Sequence, residues 1–240
     1  MIIMHRKDIY EIEEKYYDFL YGDFNEDINF YYKICKGRVL ELMCGTGRIT
    51  KPLSKMFEIE GIDINDKMLE KAFEKKLKCY KGDVKTFYLN KKYDTIIIPL
   101  NSILLFDSLE KVKVLKNSFS MLEDDGILII DTLPPPQLEE YLLYFGDHKF
   151  SDDLEIWRFF IPEYSSDMKR LKLIYIYDIF EKGHYRRESA DLILYPEDFD
   201  SYKHIFEDAG FKIINIYGDY NFSDYDEESQ KMIFVLGKRI

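Results

Sequence analysis

In the run RVLELMCGTGRIT, Arg38 to Thr50, one glutamate, Glu41, interrupts an apolar stretch, and Gly45 and Gly47 flank Thr46. A carboxylate inside an apolar strand is costly to bury unless a hydrogen-bond donor meets it, so Glu41 calls for a partner. Glycines in the connection MCGTG let the backbone turn and approach a ligand with no side chain between. Asp63 lies 16 residues after Gly47. At a strand end it can receive both hydroxyls of a ribose, or it can cap a helix starting at Asn65 or Asp66. Asp83, in KCYKGDVKTF, follows a third short strand or holds a turn, and Asn101 and Ser102, in YDTIIIPLNS, follow a fourth. The chemistry these residues suggest is the holding of a ribose-bearing ligand. A phosphate loop needs G-K-[ST], and a dinucleotide fingerprint needs a third glycine; GTGRITK has neither.

The elements that must position these residues are legible from the pattern. Strands are expected at RVLEL, FEIEGID, LKCY, YDTIIIP and DGILIIDT, alternating with helices over TGRITKPLSKM, NDKMLEKAFEKK and NSILLFDSLEKVKVLKNSFSMLEDD, as in a parallel sheet built of βαβ units. The uninterrupted Ile96–Ile98 and Ile127–Ile130 predict central strands covered on both faces. Before them, DIYEIEEKYYDFLY and DFNEDINFYYKICKG carry helical periodicity. Pro134–Pro136 mark a boundary, followed by a short helical candidate, PQLEEYLLYFGD. Three aromatic-rich strands come next, LEIWRFFIPEY, KRLKLIYIYDIFEK and HYRRESADLILY. A helix over PEDFDSYKHIFEDAG and strands FKIINIYG and KMIFVLGKR close the chain. The expected division is a helical cap over 1–36, a ligand-binding domain over 37–133 and 196–240, and an inserted β lobe over 134–195.

Composition narrows the partners. With 45 acidic against 34 basic residues the formal net charge is -11, a field that repels nucleic acid. No apolar run reaches the roughly 18 residues of a membrane span, and the charged amino end is unlike a secretory signal, so the expectation is a cytoplasmic, membrane-free protein. Three cysteines without C-x-x-C spacing read as reduced thiols, and four histidines without ligand spacing predict no metal.

VLELMCGTGRIT resembles motif I of the class I S-adenosylmethionine-dependent methyltransferases. IEGIDINDKML, GDVKTF, and YDTIIIPLNSILLF followed by LEDDGILIIDT are similar to the later motifs of that family. The resemblance implies a Rossmann-like α/β sheet, mostly parallel with an antiparallel last strand, with the cofactor S-adenosylmethionine and the product S-adenosylhomocysteine. It implies cofactor contacts from Glu41, Cys44, Gly45, Thr46, Gly47, Asp63, Ile64, Asp83, Val84, Pro99 and Asn101. Asp63 would hold the ribose, Ile64 would flank the adenine, and Asp83 and Val84 would lie near its amino group and ring. Pro99 stands where methyltransferases of amide and base nitrogens begin a [DNS]-P-P-[YFW] signature, which LNS does not continue.

The carboxyl end and aromatic amino cap resemble the small-molecule branch, which implies methyl transfer to an amine, hydroxyl or carboxylate. Tyr17 and Tyr21 are the catalytic candidates, because a ring face suits the sulfonium and a hydroxyl suits a neighbour. The acceptor is expected between the cap and the lobe, and the lobe is the expected contact if the chain pairs with itself. The competing readings are a methyltransferase of protein or RNA and a non-catalytic cofactor-binding protein.

Overall fold

The computed structural model describes residues 7–135, 142–165 and 169–239. In chain order it begins with β1 (Lys7–Asp8), α1 (Ile9–Tyr21), α2 (Glu26–Ile34), β2 (Arg38–Leu42), α3 (Thr50–Leu53), β3 (Glu58–Asp63) and α4 (Asp66–Glu74). It continues with β4 (Cys79–Lys81), β5 (Tyr93–Ile98), α5 (Ser108–Met121), β6 (Leu122–Thr132), β7 (Tyr144–Phe150) and β8 (Leu154–Ser165). The last elements are β9 (Arg170–Glu181), β10 (His184–Leu194), α6 (Phe199–Asp208), β11 (Phe211–Tyr217) and β12 (Met232–Lys238). Two compact units result, Phe24–Pro135 with Glu197–Ile240, and Met1–Asp23 with Pro136–Pro196.

The larger unit is a seven-stranded sheet of order β11-β12-β6-β5-β2-β3-β4. All neighbours from β4 to β6 pair in parallel, and β12 alone runs against the rest. Its isoleucine runs divide by the pleat, as a doubly covered strand must. Ile96, Ile98, Leu128 and Ile130 pack with α5 and α6 side chains such as Val114, Leu115 and Phe206. Ile97 and Ile129 face the other way, toward Ile28, Phe30 and Tyr31 of α2. The helix expected over 101–125 is broken because Asp107 starts a new one, its carboxylate accepting the Glu110 amide at 2.8 Å. A short 3-10 turn (Ser102–Leu105) precedes that cap.

The smaller unit is a five-stranded sheet of order β1-β10-β9-β8-β7. The lobe expected to have three strands has two more. Lys7–Asp8 pairs in parallel with Ala190–Asp191, and Tyr144–Phe150 pairs with β8. Residues 136–141 of the short helical candidate lie outside the described residues, while its tail is β7. Aromatic rings on both sides of the β7–β8 ladder, such as Tyr144 stacked on Phe160 at 5.3 Å, favour the extended form there. The expected cap over 1–36 is divided between the units. Helix α1 packs Ile9, Ile12, Tyr16 and Leu20 on Ile156, Tyr177 and Ile179 of the lobe, whereas α2 packs on the parallel sheet. Asp8 and Glu11 form a capping box that starts α1.

Candidate functional site

Strand β2 is flanked by β3 and β5. The chain leaves β2 toward β3 and β4 and later returns on the other side at β5, so the order reverses between β2 and β5. Open parallel sheets bind ligands at that reversal, beyond the carboxyl ends of the strands. The segment MCGTG follows β2, Asp63 ends β3, Asp83 follows β4, and Pro99–Asn101 follow β5, all on that one edge.

The two loop glycines do different work. Gly45 has φ +53°, and a Cβ placed on it would meet nothing within 4 Å. Its amide donates to Asp63 Oδ2 at 2.7 Å. Gly47 has φ +78°, and a Cβ there would strike Leu77 Cδ1 at 2.1 Å. Gly47 is therefore a packing glycine, whereas Gly45 fronts open space. The Cys44 amide donates to the Ile62 carbonyl at 3.0 Å and the Gly47 amide to the Cys44 carbonyl at 2.9 Å. Thr46 is buried, its carbonyl accepting Lys75 Nζ at 2.9 Å. Cys44 is buried too, and the hydrogen bond with Cys79 together with burial holds its thiol well above the ordinary range.

Asp63 is 9% exposed. Its Oδ1 accepts the Asn65 amide at 2.8 Å. Both oxygens are thus anchored by backbone amides, which fixes the carboxylate at the strand end. Burial pushes the carboxyl pKa up, against the amides of Asn65, Gly45 and Ile64, which pull it down. Asn65 itself caps α4, accepting the Lys67 and Met68 amides at 3.0 and 3.2 Å. Ile64 is 64% exposed beside this acid. Asp83 does hold a turn, with Oδ1 on the Lys85 amide at 2.9 Å, yet it does so at the strand-end edge, next to buried Val84.

Glu41 finds its donor in the Thr50 hydroxyl, and burial lifts its pKa to about 8 despite that bond. The acid is mostly neutral at pH 7. Beyond β5, the Pro99 carbonyl accepts the Ser102 hydroxyl at 2.7 Å. Leu100 and Asn101 follow with φ 51° and 61°, two adjacent left-handed residues that are not glycine. Asn101 Oδ1 is buried and has no hydrogen-bond partner among the described residues.

Asp131, near the end of β6, escaped the sequence reading. It is fully buried and accepts the Leu100 amide, the Tyr220 hydroxyl and Lys231 Nζ. The signal was present, since an acid in ILIIDT violates an apolar run as Glu41 does. Tyr17 and Tyr21 both belong to the smaller unit, their rings 4.8 Å apart. The Tyr21 hydroxyl donates to Glu13 at 3.1 Å and accepts from Arg158. Among the described residues no group of three or more His, Cys, Asp or Glu side chains is placed to hold a metal ion, and no helix is long and apolar enough to cross a membrane.

Comparison with known proteins agrees with this geometry. Residues 39–126 match a methyltransferase domain family. The chain is 25% identical over 220 residues to YqeM of Bacillus subtilis (strain 168), whose methyltransferase name is itself provisional, covering 85% of each chain. It is 26% identical over 219 residues to a glycine/sarcosine N-methyltransferase of Aphanothece halophytica, covering 84% of this chain and 76% of that one. The S-adenosylmethionine-bound structure of CalS10, an amino pentose methyltransferase from Micromonospora echinaspora, superposes with a TM-score of 0.75 at 17% identity, covering 98% of both chains. The strand order and the strand-end site are those of the class I S-adenosylmethionine-dependent methyltransferase fold, and the domain matched within the chain is a methyltransferase domain. The residues present fit that cofactor. Open space at Gly45, the anchored Asp63 carboxylate, apolar surface at Ile64 and, among the described residues, an unpartnered side-chain Oδ1 on Asn101 share one edge.

Proposed function

We propose that the chain methylates a small polar molecule, with an amine nitrogen first among acceptor groups. S-adenosylmethionine brings a methyl already activated on a sulfonium, so the protein's task is to hold, align and dehydrate the reactants. Asp63 would take the ribose hydroxyls, Ile64 would cover the adenine, with Asp83 and Val84 beside it, and Cys44–Gly47 would lie along the amino acid portion. Glu41 would brace that loop through Thr50. Asn101, presented by Pro99, would offer its carbonyl at the β5 tip. The observation that carries the reading is the open space at Gly45 directly beside the Asp63 carboxylate. Similarity to a glycine/sarcosine N-methyltransferase over most of the chain supports an amine. The net charge of -11 weighs against a nucleic acid acceptor.

Calorimetric titration tests the site. Asp63→Ala should weaken S-adenosylmethionine binding by roughly 2 to 4 kcal/mol through loss of two charge-assisted bonds. An unchanged affinity in the folded variant removes the assignment. Turnover, read as S-adenosylhomocysteine release, should appear with amino acids or amino sugars and survive chelator. Turnover confined to peptides or RNA would rank a macromolecular acceptor first.

Of the aromatic candidates, the Tyr21 hydroxyl is engaged by Glu13 and Arg158, so Tyr21→Phe would also disturb that network, and Tyr17→Phe is to be measured beside it. Buried, unbridged cysteines support a reducing cytoplasm. Pairing of two copies would run through the lobe. Among the described residues β7 has no partner on its outer side, and Phe145 and Phe150 are 57% and 74% exposed. A monomer by analytical ultracentrifugation rejects that contact.

A further inference from the structure

Two adjacent residues at the β5 tip, Leu100 and Asn101, sit in the left-handed region without being glycine. Such a conformation persists only where surrounding contacts over-determine it. Both contacts come from one residue. The Leu100 amide donates to Asp131 Oδ2 at 3.1 Å, and the Asn101 amide donates to the Asp131 carbonyl, also at 3.1 Å. The same carboxylate reaches outward. Its Oδ2 accepts the Tyr220 hydroxyl and its Oδ1 accepts Lys231 Nζ at 3.1 Å, so both ends of the connection between β11 and β12 are tied to it. Lys231 also lies over the Tyr220 ring, 4.7 Å from its centroid.

A fully buried carboxylate at a parallel-sheet edge is not needed to build the sheet, and it is kept at a cost. The strained dipeptide that it holds ends in Asn101, whose side-chain Oδ1 has no hydrogen-bond partner among the described residues. We infer that Asp131 is a positioning residue for methyl transfer: through its contacts with Leu100, Asn101, Tyr220 and Lys231 it fixes the β5 tip and aims the Asn101 amide at the bound cofactor. The inference rests on the role proposed for Asn101. The Tyr220 hydroxyl keeps its proton, because burial and the neighbouring Asp131 charge both raise its pKa, and it therefore serves as a standing donor to the clamp.

Two measurements test this. In amide hydrogen exchange, Asp131→Asn and the milder Tyr220→Phe should speed exchange at Leu100 and Asn101 while β2 and β5 amides stay protected; this holds with or without cofactor. In calorimetric titration with S-adenosylmethionine, Asp131→Asn should weaken binding about 10-fold and Tyr220→Phe about 3-fold, and both effects should vanish in an Asn101→Ala background, since contacts acting through one residue are not additive. A purely architectural Asp131 would give the same losses in that background, which overturns the proposal. Unchanged exchange at Leu100 overturns it too. If Asn101→Ala alone leaves affinity unchanged while Asp131→Asn lowers it, the role given to Asn101 fails and the clamp fails with it. Asp63→Ala remains a separate check on the cofactor site.

Discussion

Each unit buries a glutamate in a largely apolar setting, and the two dispose of its charge in different ways. Glu41, in the parallel unit, is 2% exposed and is met by a neutral hydroxyl from Thr50, so burial raises its pKa to about 8 and the acid is neutralised rather than paired. Glu13, in the smaller unit, is 7% exposed and faces a cation, with Arg158 Nη1 at 3.4 Å. The Tyr21 and Tyr177 hydroxyls donate to Glu13 as well, and Arg158 forks onto Asp147 with Nε at 3.0 Å. Burial raises the Glu13 pKa against the pull of Arg158. The contrast shows where each unit can tolerate loss. A neutral acid with one partner can be replaced by an amide; an ion network cannot lose its arginine without stranding two carboxylates.

The largest effect should come from that arginine. Arg158→Met should cost about 3 to 5 kcal/mol. Trp157 is the only tryptophan in the chain and lies in β8, so its fluorescence during urea unfolding reports the smaller unit. Glu13→Gln in the same chain should restore part of the loss; a cost below about 1 kcal/mol, the value typical of an exposed pair, would erase the contrast.

Next come the loop glycines, which separate folding from binding within the parallel unit. Gly47→Ala should cost about 2 to 3 kcal/mol, from left-handed strain plus the collision with Leu77. Gly45→Ala should cost only the strain, about 1 to 2 kcal/mol, and should lose S-adenosylmethionine affinity instead. Equal denaturation midpoints for the two variants would show that the Leu77 contact carries no weight.

The most gradual effect is a pH dependence. Glu41 retains its proton in the fold between its ordinary value of 4.5 and about 8, so the folded protein binds more protons than the unfolded chain and stability falls as pH rises through that window. Glu41→Gln keeps a group of the same shape beside Thr50 and should flatten that fall, which is about 1 kcal/mol for each pH unit between 5 and 8. Denaturant midpoints that track wild type across the window would mean that Glu41 is charged in the fold.

The parallel unit was readable because its signals are local. A strand such as VLEL, a glycine pair and an acid at the next strand end each stand within a few residues, and strands that alternate with helices announce βαβ units. The smaller unit was read less well. Nothing in Lys7–Asp8 announces a strand; it is one because Ala190–Asp191 offers an edge. Tyr144–Phe150 likewise looks helical until β8 supplies stacking partners for its rings. In the site, Asp63 and Gly45 stood out individually, but the bond between them did not, and the weight carried by Asp131 depends on Tyr220 and Lys231 from the far end of the chain.

The pairing of Lys7 with Ala190 joins residues roughly 180 positions apart. On a ribosome adding about 5 to 20 residues per second, the apolar face of α1 (Ile9, Ile12, Tyr16 and Leu20) waits on the order of 10 to 40 seconds for the strands that cover it. The intervening parallel strands β2 to β6 are complete well before then, so the α1 stretch spends that time with its apolar residues uncovered by their strands. Its stretch is the natural place for a chaperone to hold.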